Sequence, residues 1–188
     1  MKRVRVVLCG DVSVGKSSLI QRFSQRKFTE GLSSTLAGAF NSQYVKVDNQ
    51  LVCLEIWDTA GSERYRSVIP SFFRNVSAVI IVYDVTNRDS FDSLDSWVEF
   101  SKNNGPECVP LFIIGNKIDL FNHRAVSSDE AQIFCNTNNI NFCFEASAKS
   151  GEFVDDIFSH VASIPAVIVN ESSNVANVID LKKGDSCC

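Results

Sequence analysis

The sequence lacks the long apolar run that a membrane-spanning helix needs, and it has no excess of positive charge. Its longest apolar segments, at 78–83 and 111–115, are far shorter than the roughly 20 residues that cross a bilayer. The formal net charge of −4 gives no electrostatic reason to expect nucleic acid as a partner. Any contact with a membrane must therefore come from another feature of the chain.

The body of the sequence also lacks C-x-x-C pairs. Five of the seven cysteines stand singly and mostly within apolar runs: Cys9, Cys53, Cys108, Cys135 and Cys143. This pattern argues against a zinc site or a disulfide framework. It predicts buried, reduced thiols in a cytosolic protein.

Short apolar runs alternate with segments of helical patterning, over a length of 188 residues that suits one domain. Apolar runs at 4–9, 78–83 and 111–115 predict strands covered on both faces. Residues 44–48 and 51–57 predict an antiparallel hairpin at a sheet edge. Helices are predicted at 16–25, 89–103, 127–138 and 152–163. This alternation predicts an α/β fold, with a mostly parallel sheet between helices.

The composition changes after Pro165. Residues 171–188 are polar and have no clear periodicity, which predicts a disordered tail. We therefore predict one domain at 1–165 and a flexible tail at 166–188.

Residues 10–17, GDVSVGKS, match the phosphate-loop pattern G-x-x-x-x-G-K-[ST] and directly follow the first predicted strand. Such a loop turns successive backbone N–H groups toward a phosphate at a helix N-terminus. Lys16 is expected to contact the β- and γ-phosphates, and the Ser17 hydroxyl is expected to bind Mg²⁺. The predicted phosphate site consists of Asp11, Val12, Ser13, Val14, Gly15, Lys16, Ser17 and Ser18.

Two further segments, GNKID at 115–119 and EASAK at 145–149, each come directly after an expected strand. In this order behind the phosphate loop, they resemble the guanine-reading segments of the small GTPases of the Ras superfamily. The resemblance implies a P-loop NTPase fold with a mainly parallel six-stranded sheet flanked by helices. It also implies GTP and GDP as ligands and Mg²⁺ as cofactor.

The same resemblance gives roles to the residues that read the base. The Asp119 carboxylate accepts from two N–H donors of guanine, which adenine does not offer in that arrangement. Adenine would leave this carboxylate buried and unpaired, at a cost on the order of several kcal/mol. Asn116 is expected to brace the site, and Lys117 is expected to lie along the base. The remaining contacts come from three successive residues, of which the middle N–H meets the guanine oxygen: Ser147, Ala148 and Lys149.

A P-loop kinase of small molecules is the rival enzyme class. Such a kinase needs a second substrate pocket and usually an arginine-rich lid. Arginines cluster only at the first strand and at Arg64 and Arg66, inside the segment that resembles a switch. The sequence therefore favours the GTPase.

Thr35 and Asp58 stand where the family has its metal-binding switch residues. Thr35 lies seven residues after Phe28, the family's spacing between the magnesium-binding threonine and the aromatic that covers the guanine edge. By resemblance, Asp58 holds Mg²⁺ through a water and the Gly61 N–H contacts the γ-phosphate. A γ-phosphate would then order both segments, and its loss would release them. The implied catalytic residues are Lys16, Thr35, Gly61 and Ser62.

Within the superfamily, residues 3–164 resemble the Rab branch. LEIWDTAGSERYRS and SFFRN match its second switch region, and STLAGAF matches its first, most similarly to the endosomal Rabs. Phe40, Trp57 and Phe72 then occupy the positions of the effector-facing aromatic cluster. The same three side chains are equally candidates for the core, and the two interpretations are compatible.

Two residues depart from the Rab pattern where GTP is hydrolysed. Ser62 stands where most Rabs have the glutamine that orients the attacking water. Val12 stands where the superfamily usually has a small residue, and its branched side chain would crowd an arginine of an activating protein. Ala37 also replaces the usual glycine of the first switch. We expect slow intrinsic hydrolysis, and the sequence leaves stimulated hydrolysis open.

The segment KKGDSCC carries the expected membrane anchor. Rab tails commonly end in two cysteines that bear geranylgeranyl groups, and Cys187 and Cys188 hold those positions. Two lipid chains give stable attachment, whereas one chain anchors only marginally. Lys182 and Lys183 are too few to form a polybasic patch as a second signal.

The resemblance therefore implies a monomeric switch that, when GTP-bound, recruits effectors to the cytoplasmic face of intracellular membranes, of the endosomal kind, in vesicle traffic. A cytosolic pool is expected as well. The implied partners are an exchange factor, a GTPase-activating protein, effectors, a dissociation inhibitor and the escort and transferase of prenylation. The alternative is a GTP-loaded binding scaffold with negligible hydrolysis.

Overall fold

The computed structural model describes residues 2–32, 35, 38–61, 69–164 and 178–180. The strands are Lys2–Cys9 (β1), Gly38–Val47 (β2), Gln50–Thr59 (β3), Ala78–Asp84 (β4), Leu111–Asn116 (β5), Phe142–Ala146 (β6) and Val178–Asp180 (β7). The α-helices are Lys16–Gln25 (α1), Arg88–Asp92 (α2), Leu94–Asn104 (α3), Ser128–Thr137 (α4) and Val154–Ser163 (α5). Two 3₁₀ segments are Ile69–Phe73 and Ile118–His123.

The strands form one sheet in the order β6-β5-β4-β1-β3-β2-β7. All neighbouring pairs are parallel except β2 and β3, which are antiparallel. The predicted mainly parallel sheet of six strands is thus confirmed by β1 to β6. Strand β1 lies between β3 and β4, where the strand order reverses, and a ligand crevice is expected at this point.

The predicted hairpin is longer than the sequence pattern indicated. Strands β2 and β3 pair from Gly38 opposite Thr59 to Val47 opposite Gln50. The two residues between them, Asp48 and Asn49, both have positive φ, at 47° and 63°. This backbone matches the tight hairpin turns that aspartate and asparagine favour.

The two faces of the sheet carry separate hydrophobic cores. Along β1, Val6 and Leu8 face the first core, which is closed by α1 and α5. Val7 and Cys9 face the second core, which is closed by α3 and α4. The central strands therefore carry apolar residues on both faces. For this reason they appear in the sequence as continuous apolar runs.

The helices lie close to their predicted positions. Helix α1 has the predicted bounds, and α4 begins with a capping box, in which Ser127 and Glu130 satisfy each other's backbone N–H groups. The segment predicted as one helix at 89–103 is divided at Ser93 into α2 and α3. No helix in the described part of the chain is long and apolar enough to span a membrane.

The prediction of buried thiols is confirmed for three cysteines and is wrong for one. Cys9, Cys53 and Cys135 are buried, and Cys143 is half-buried. Cys108 is exposed, in a turn where its φ is 57°. Burial raises the pKa of the Cys9 thiol to about 12, so this group stays protonated.

A seventh strand comes from the segment that the sequence predicted to be disordered. Strand β7 pairs in parallel with β2, with Val178 opposite Tyr44 and Asp180 opposite Lys46. Without it, β2 would present a row of unpaired backbone groups at the sheet edge, which readily accepts another strand. The division into 1–165 and 166–188 stays a prediction, because most of the tail lies outside the described residues.

Candidate nucleotide site

The site residues lie where parallel strands end. The phosphate loop follows β1, Asp58 lies near the end of β3, Asp84 ends β4 and Asn116 ends β5. The carboxyl ends of parallel strands share one edge of the sheet, so these polar groups meet there. Sequence positions more than 100 residues apart thus form one site.

Two glycines give the phosphate loop its path. Gly10 has a φ of 125°, and a Cβ at this position would lie 2.2 Å from the Val82 carbonyl oxygen. Gly15 has a φ of 98°, and a Cβ there would lie 2.2 Å from the Asn116 Nδ2 atom. Only glycine fits both the backbone conformation and the space, which agrees with the positions of the two glycines in the predicted loop.

Lys16 lies beneath the loop and is 6% exposed. Its Nζ donates to the carbonyl oxygens of Gly10 at 2.8 Å and Asp11 at 2.7 Å. Burial lowers the pKa of Lys16, and the nearby Asp58 carboxylate acts in the opposite direction. A buried ammonium below a helix N-terminus favours an anionic ligand. The contact with the β- and γ-phosphates stays a prediction.

Ser17, Thr35 and Asp58 converge, as predicted for the metal ligands. The Ser17 hydroxyl donates to Asp58 Oδ2 at 2.5 Å and lies 2.8 Å from Thr35 Oγ1. The Thr35 hydroxyl donates to the same carboxylate oxygen at 3.2 Å. Burial raises the pKa of Asp58, which the Ser17 hydrogen bond opposes. The other oxygen, Asp58 Oδ1, is buried without a hydrogen-bond partner among the described residues.

This donor set fits Mg²⁺. Two hydroxyls and a carboxylate are hard oxygen donors of the kind that Mg²⁺ prefers, and a magnesium site usually includes waters and phosphate oxygens as well. A cation beside this cluster would also favour the charged form of the buried Asp58 carboxylate.

Asn116 joins the two halves of the site. Its Nδ2 donates to the Val14 carbonyl at 2.9 Å, and its Oδ1 accepts from the Ala148 N–H at 3.1 Å. The side chain is 1% exposed, so the predicted bracing role agrees with the geometry. The Ala148 N–H was expected to meet the guanine oxygen, but in this structure it is engaged by Asn116.

Asp119 and Lys117 are held by different partners. The Ser147 hydroxyl donates to Asp119 Oδ1 at 2.5 Å and also accepts from the Ser150 N–H at 3.0 Å. This arrangement orients the carboxylate and leaves its second oxygen for a ligand. Lys117 has a φ of 72°, and its ammonium lies 2.5 Å from Asp84 Oδ2. Asp84 belongs to none of the motifs in the sequence, and its contact with Lys117 is visible only in the structure.

Arg22 of α1 also supports the base-binding loop, although no motif indicated it. Its Nε donates to the Ala148 carbonyl at 2.8 Å, and a second guanidinium nitrogen donates to the Lys149 carbonyl. Lys149 in turn pairs with Glu30 at 3.2 Å. Phe28, two residues before Glu30, packs against the first core. The segment 28–30, which precedes the first switch, and the loop at 147–149 therefore lie side by side.

Gly61 rests against the phosphate loop. A Cβ at Gly61 would lie 2.5 Å from the Asp11 carbonyl carbon and 2.6 Å from the Val12 N atom. The Val12 side chain is 46% exposed at this face of the loop. The two positions therefore meet at the phosphate loop, and the contact of the Gly61 N–H with the γ-phosphate stays a prediction.

The three aromatic side chains form one cluster. The ring centroids of Phe40 and Trp57 lie 4.9 Å apart, and those of Trp57 and Phe72 lie 5.1 Å apart. Trp57 and Phe72 pack against the second core, whereas Phe40 is 53% exposed. Both interpretations of the cluster therefore agree with the geometry.

Nine residues named from the sequence lie outside the described residues: Ala37, Ser62, Arg64, Arg66, Pro165, Lys182, Lys183, Cys187 and Cys188. Their predicted roles stay predictions.

Comparison with known proteins places the chain in a family. The family model described as "Ras family" matches residues 5–165. The Ras-related protein RABF2a of Arabidopsis thaliana is 44% identical over 158 residues, which cover 84% of this chain and 78% of that protein. RABF2b of the same plant is 39% identical over 189 residues, covering 98% and 94%. The Ras-related protein Rab5 of Nicotiana tabacum is 42% identical over 158 residues, covering 84% and 78%.

The phosphate loop, the two segments that resemble guanine-reading segments and the switch residues thus all lie within residues 5–165, the range that the family model matches. Ras-family GTPases use Mg²⁺ with their guanine nucleotide, which agrees with the oxygen donors around Asp58. The chain therefore belongs to the Ras family and, within it, to the Rab proteins, and it is a small GTPase that acts as a guanine-nucleotide switch in vesicle traffic.

Proposed function

We propose that Thr35 is the point at which this switch reads the γ-phosphate. The supporting observation is the three-way contact of Ser17, Thr35 and Asp58, which joins the first switch to the phosphate loop and to the end of β3. Ser17 and Thr35 would hold Mg²⁺ directly, and Asp58 would hold it through a water. The ion would supply positive charge next to the β- and γ-phosphates.

Guanine would be read by Asp119. Its two carboxylate oxygens would accept from the two N–H donors of the base, and the supporting observation is the hydrogen bond by which Ser147 orients the carboxylate. Asn116 and Arg22 would support this role indirectly, because both hydrogen-bond to Ala148 and so hold the neighbouring loop in place.

Hydrolysis would be slow without an activating protein. Phosphoryl transfer to water depends mostly on positioning and charge stabilisation. Lys16 and the loop N–H groups provide the charge stabilisation, whereas Ser62 is too short to bridge the attacking water and the γ-phosphate as glutamine does. Loss of one well-placed polar group at such a site lowers the rate on the order of 10²–10³-fold.

Ser62→Gln should therefore raise the intrinsic rate of GTP hydrolysis, by one order of magnitude or more on the scale of that positioning effect. The measurement is single-turnover hydrolysis of preloaded GTP in Mg²⁺. Ser67→Gln makes the same change five residues further along the second-switch segment. It is the control and should leave the rate unchanged. Faster hydrolysis by the parent than by Ser62→Gln would mean that another residue orients the water.

The second candidate function is a GTP-loaded scaffold that scarcely hydrolyses its nucleotide. The observation that favours it is the exposed Val12 side chain beside Gly61, because this side chain would obstruct an activating protein's arginine. The same single-turnover assay, with and without an activating protein, separates the two candidates. Nucleotide that stays GTP under both conditions would support the scaffold.

The GTP-bound form would recruit effectors through the Phe40, Trp57 and Phe72 cluster. An exposed aromatic ring over partly buried neighbours is typical of an interaction hot spot. An exchange factor, an activating protein, a dissociation inhibitor and a prenylation escort would be the other partners, as for Rab proteins in general. We propose the endosome as the compartment, since relatives named Rab5 share the match.

Lipid groups on Cys187 and Cys188 would attach the protein to that membrane. The Cys187→Ser, Cys188→Ser double variant should therefore be recovered in the soluble fraction of cells, whereas the parent sediments with membranes. Cys108→Ser, which changes an exposed thiol of the domain, is the matched control and should still sediment. Membrane recovery of the double variant at the parent's level would indicate a different anchor.

A further inference from the structure

Trp97 of α3 reaches across the second core to the phosphate loop. Its indole Nε1–H donates to Asp11 Oδ1 at 2.8 Å, although the two residues are 86 positions apart. The Trp97 side chain is 2% exposed, so this hydrogen bond lies largely away from water. None of the sequence motifs described above includes this tryptophan.

The surroundings of Trp97 fix the direction of its N–H. The ring makes an edge contact with Phe100, at a centroid distance of 5.9 Å, and Phe100 makes a second edge contact with Phe73 at 5.5 Å. One turn further along α3, Ser101 donates to the Trp97 carbonyl at 2.7 Å and lies 3.9 Å from Cys9 Sγ. Helix α3 therefore contacts the end of β1 as well as the loop that follows it.

The hydrogen bond from Trp97 ends on the Asp11 side chain, and the Asp11 peptide lies between two groups of the nucleotide site. The Asp11 carbonyl accepts from Lys16 Nζ at 2.7 Å. The same carbonyl, together with the Val12 N atom, forms the surface on which Gly61 rests, within 2.6 Å of where a Cβ would stand. A shift of this peptide would therefore move the lysine's support and the start of the second switch together.

We propose that Trp97 is a positioning residue, which holds the phosphate loop in register with Lys16 and Gly61 through its hydrogen bond to Asp11. It touches no nucleotide itself. The inference rests on the guanine-nucleotide function and on the phosphate contacts proposed above for Lys16 and Gly61. It adds a residue of α3 to the groups that determine how tightly the nucleotide is held.

Trp97→Phe removes the N–H donor and keeps an aromatic ring in the core. It should accelerate release of GDP and slow single-turnover hydrolysis, each on the order of tenfold, which is the size expected for a hydrogen bond to a charged group. Val98→Ala is the matched control, because it removes packing from the same helix at a side chain that is 3% exposed. The control should lower the melting temperature but leave GDP release unchanged.

A double-variant comparison separates positioning from a general loss of stability. Asp11→Ala should accelerate GDP release as Trp97→Phe does, and the two changes together should add little to either alone. Fully additive effects, or GDP release from Trp97→Phe at the parent's rate, would overturn the proposal. If Trp97→Phe fails to fold, Asp11→Ala alone tests the same bond by the spectroscopic measurement that follows.

The bond can also be observed directly, because the chain has only two tryptophans, Trp57 and Trp97. In ¹⁵N-labelled, GDP-bound full chain, Trp57→Phe identifies the Trp97 indole N–H signal. This proton should exchange slowly with solvent in the parent and in Asp11→Asn, which keeps an oxygen acceptor. In Asp11→Ala its exchange should become faster and its resonance should shift.

An indole signal that Asp11→Ala leaves unchanged would contradict the proposal even if the nucleotide kinetics changed. If the proposed guanine-nucleotide function itself were wrong, the result would be different, because the parent protein would then not retain GDP. A parent that retains GDP, combined with an unresponsive Trp97, refutes only the role of Trp97.

Discussion

Asp119→Asn should lower the affinity for GTP on the order of a hundredfold or more, because one of guanine's two donors then faces an amide donor. The same change should strengthen the binding of xanthosine triphosphate, whose ring carries an oxygen where guanine has its amine. The Asn oxygen would accept from the ring N–H, and the Asn amide would donate to that oxygen. Competition of both nucleotides against fluorescent GDP measures the two affinities.

The geometry of Asp119 supports this expectation. Ser147 holds one carboxylate oxygen at 2.5 Å, so the side chain cannot turn away from the ligand without losing that bond. Asp95→Asn, at an exposed position in the first turn of α3, is the control and should leave both affinities as they are. A loss of GTP affinity without any gain for xanthosine triphosphate would indicate that Asp119 supports the loop rather than reads the base.

Ser17→Asn should weaken GTP binding on the order of tenfold or more, with a smaller effect on GDP. The variant loses a hydroxyl that lies 2.5 Å from Asp58 and 2.8 Å from Thr35. Mg²⁺ bridges the β- and γ-phosphates in GTP, so loss of a metal ligand affects the triphosphate more. The measurement is the affinity for each nucleotide across a Mg²⁺ titration.

Ser17→Thr keeps a hydroxyl and is the comparison variant for that titration. It should retain a dependence of GTP affinity on Mg²⁺, whereas Ser17→Asn should lose most of it. Equal Mg²⁺ dependence in Ser17→Asn and the parent would exclude Ser17 as a metal ligand.

The sequence predicted those parts of the site in which the chemistry lies next to a strand end. Gly10, Gly15 and Lys16 are close in sequence, and the tight path that they form follows from local backbone preferences. Asn116 and Asp119 are likewise fixed by the strand that precedes them. A parallel sheet then brings such segments together without any further information in the sequence.

The supporting contacts could not be predicted in this way. Arg22 reaches Ala148 over 126 positions, and Trp97 reaches Asp11 over 86. In the sequence, Arg22 and Trp97 resemble ordinary helix residues. Their contacts could not be predicted because the direction of each side chain depends on how α1 and α3 pack on the sheet. Lys117, which forms the ion pair with Asp84, has a positive φ. The sequence pattern does not predict this backbone conformation.

Strand β7 illustrates a different limit of sequence reasoning. Two of its three residues, Val178 and Ile179, are β-branched residues that favour strands, but they lie in a segment that is polar overall and has no periodicity. Its partner is the edge of β2, where unpaired backbone groups can pair with a further strand. A run of three residues is too short for the sequence pattern alone to identify a strand, so the pairing becomes visible only beside the sheet edge.

The most direct test of the account is to identify the nucleotide that the purified protein releases on denaturation and to follow its conversion. We predict about one guanine nucleotide per chain, and we predict that preloaded GTP becomes GDP slowly in a single turnover with Mg²⁺. An adenine nucleotide in the site, or equal affinity of the parent for ATP and GTP, would contradict the account.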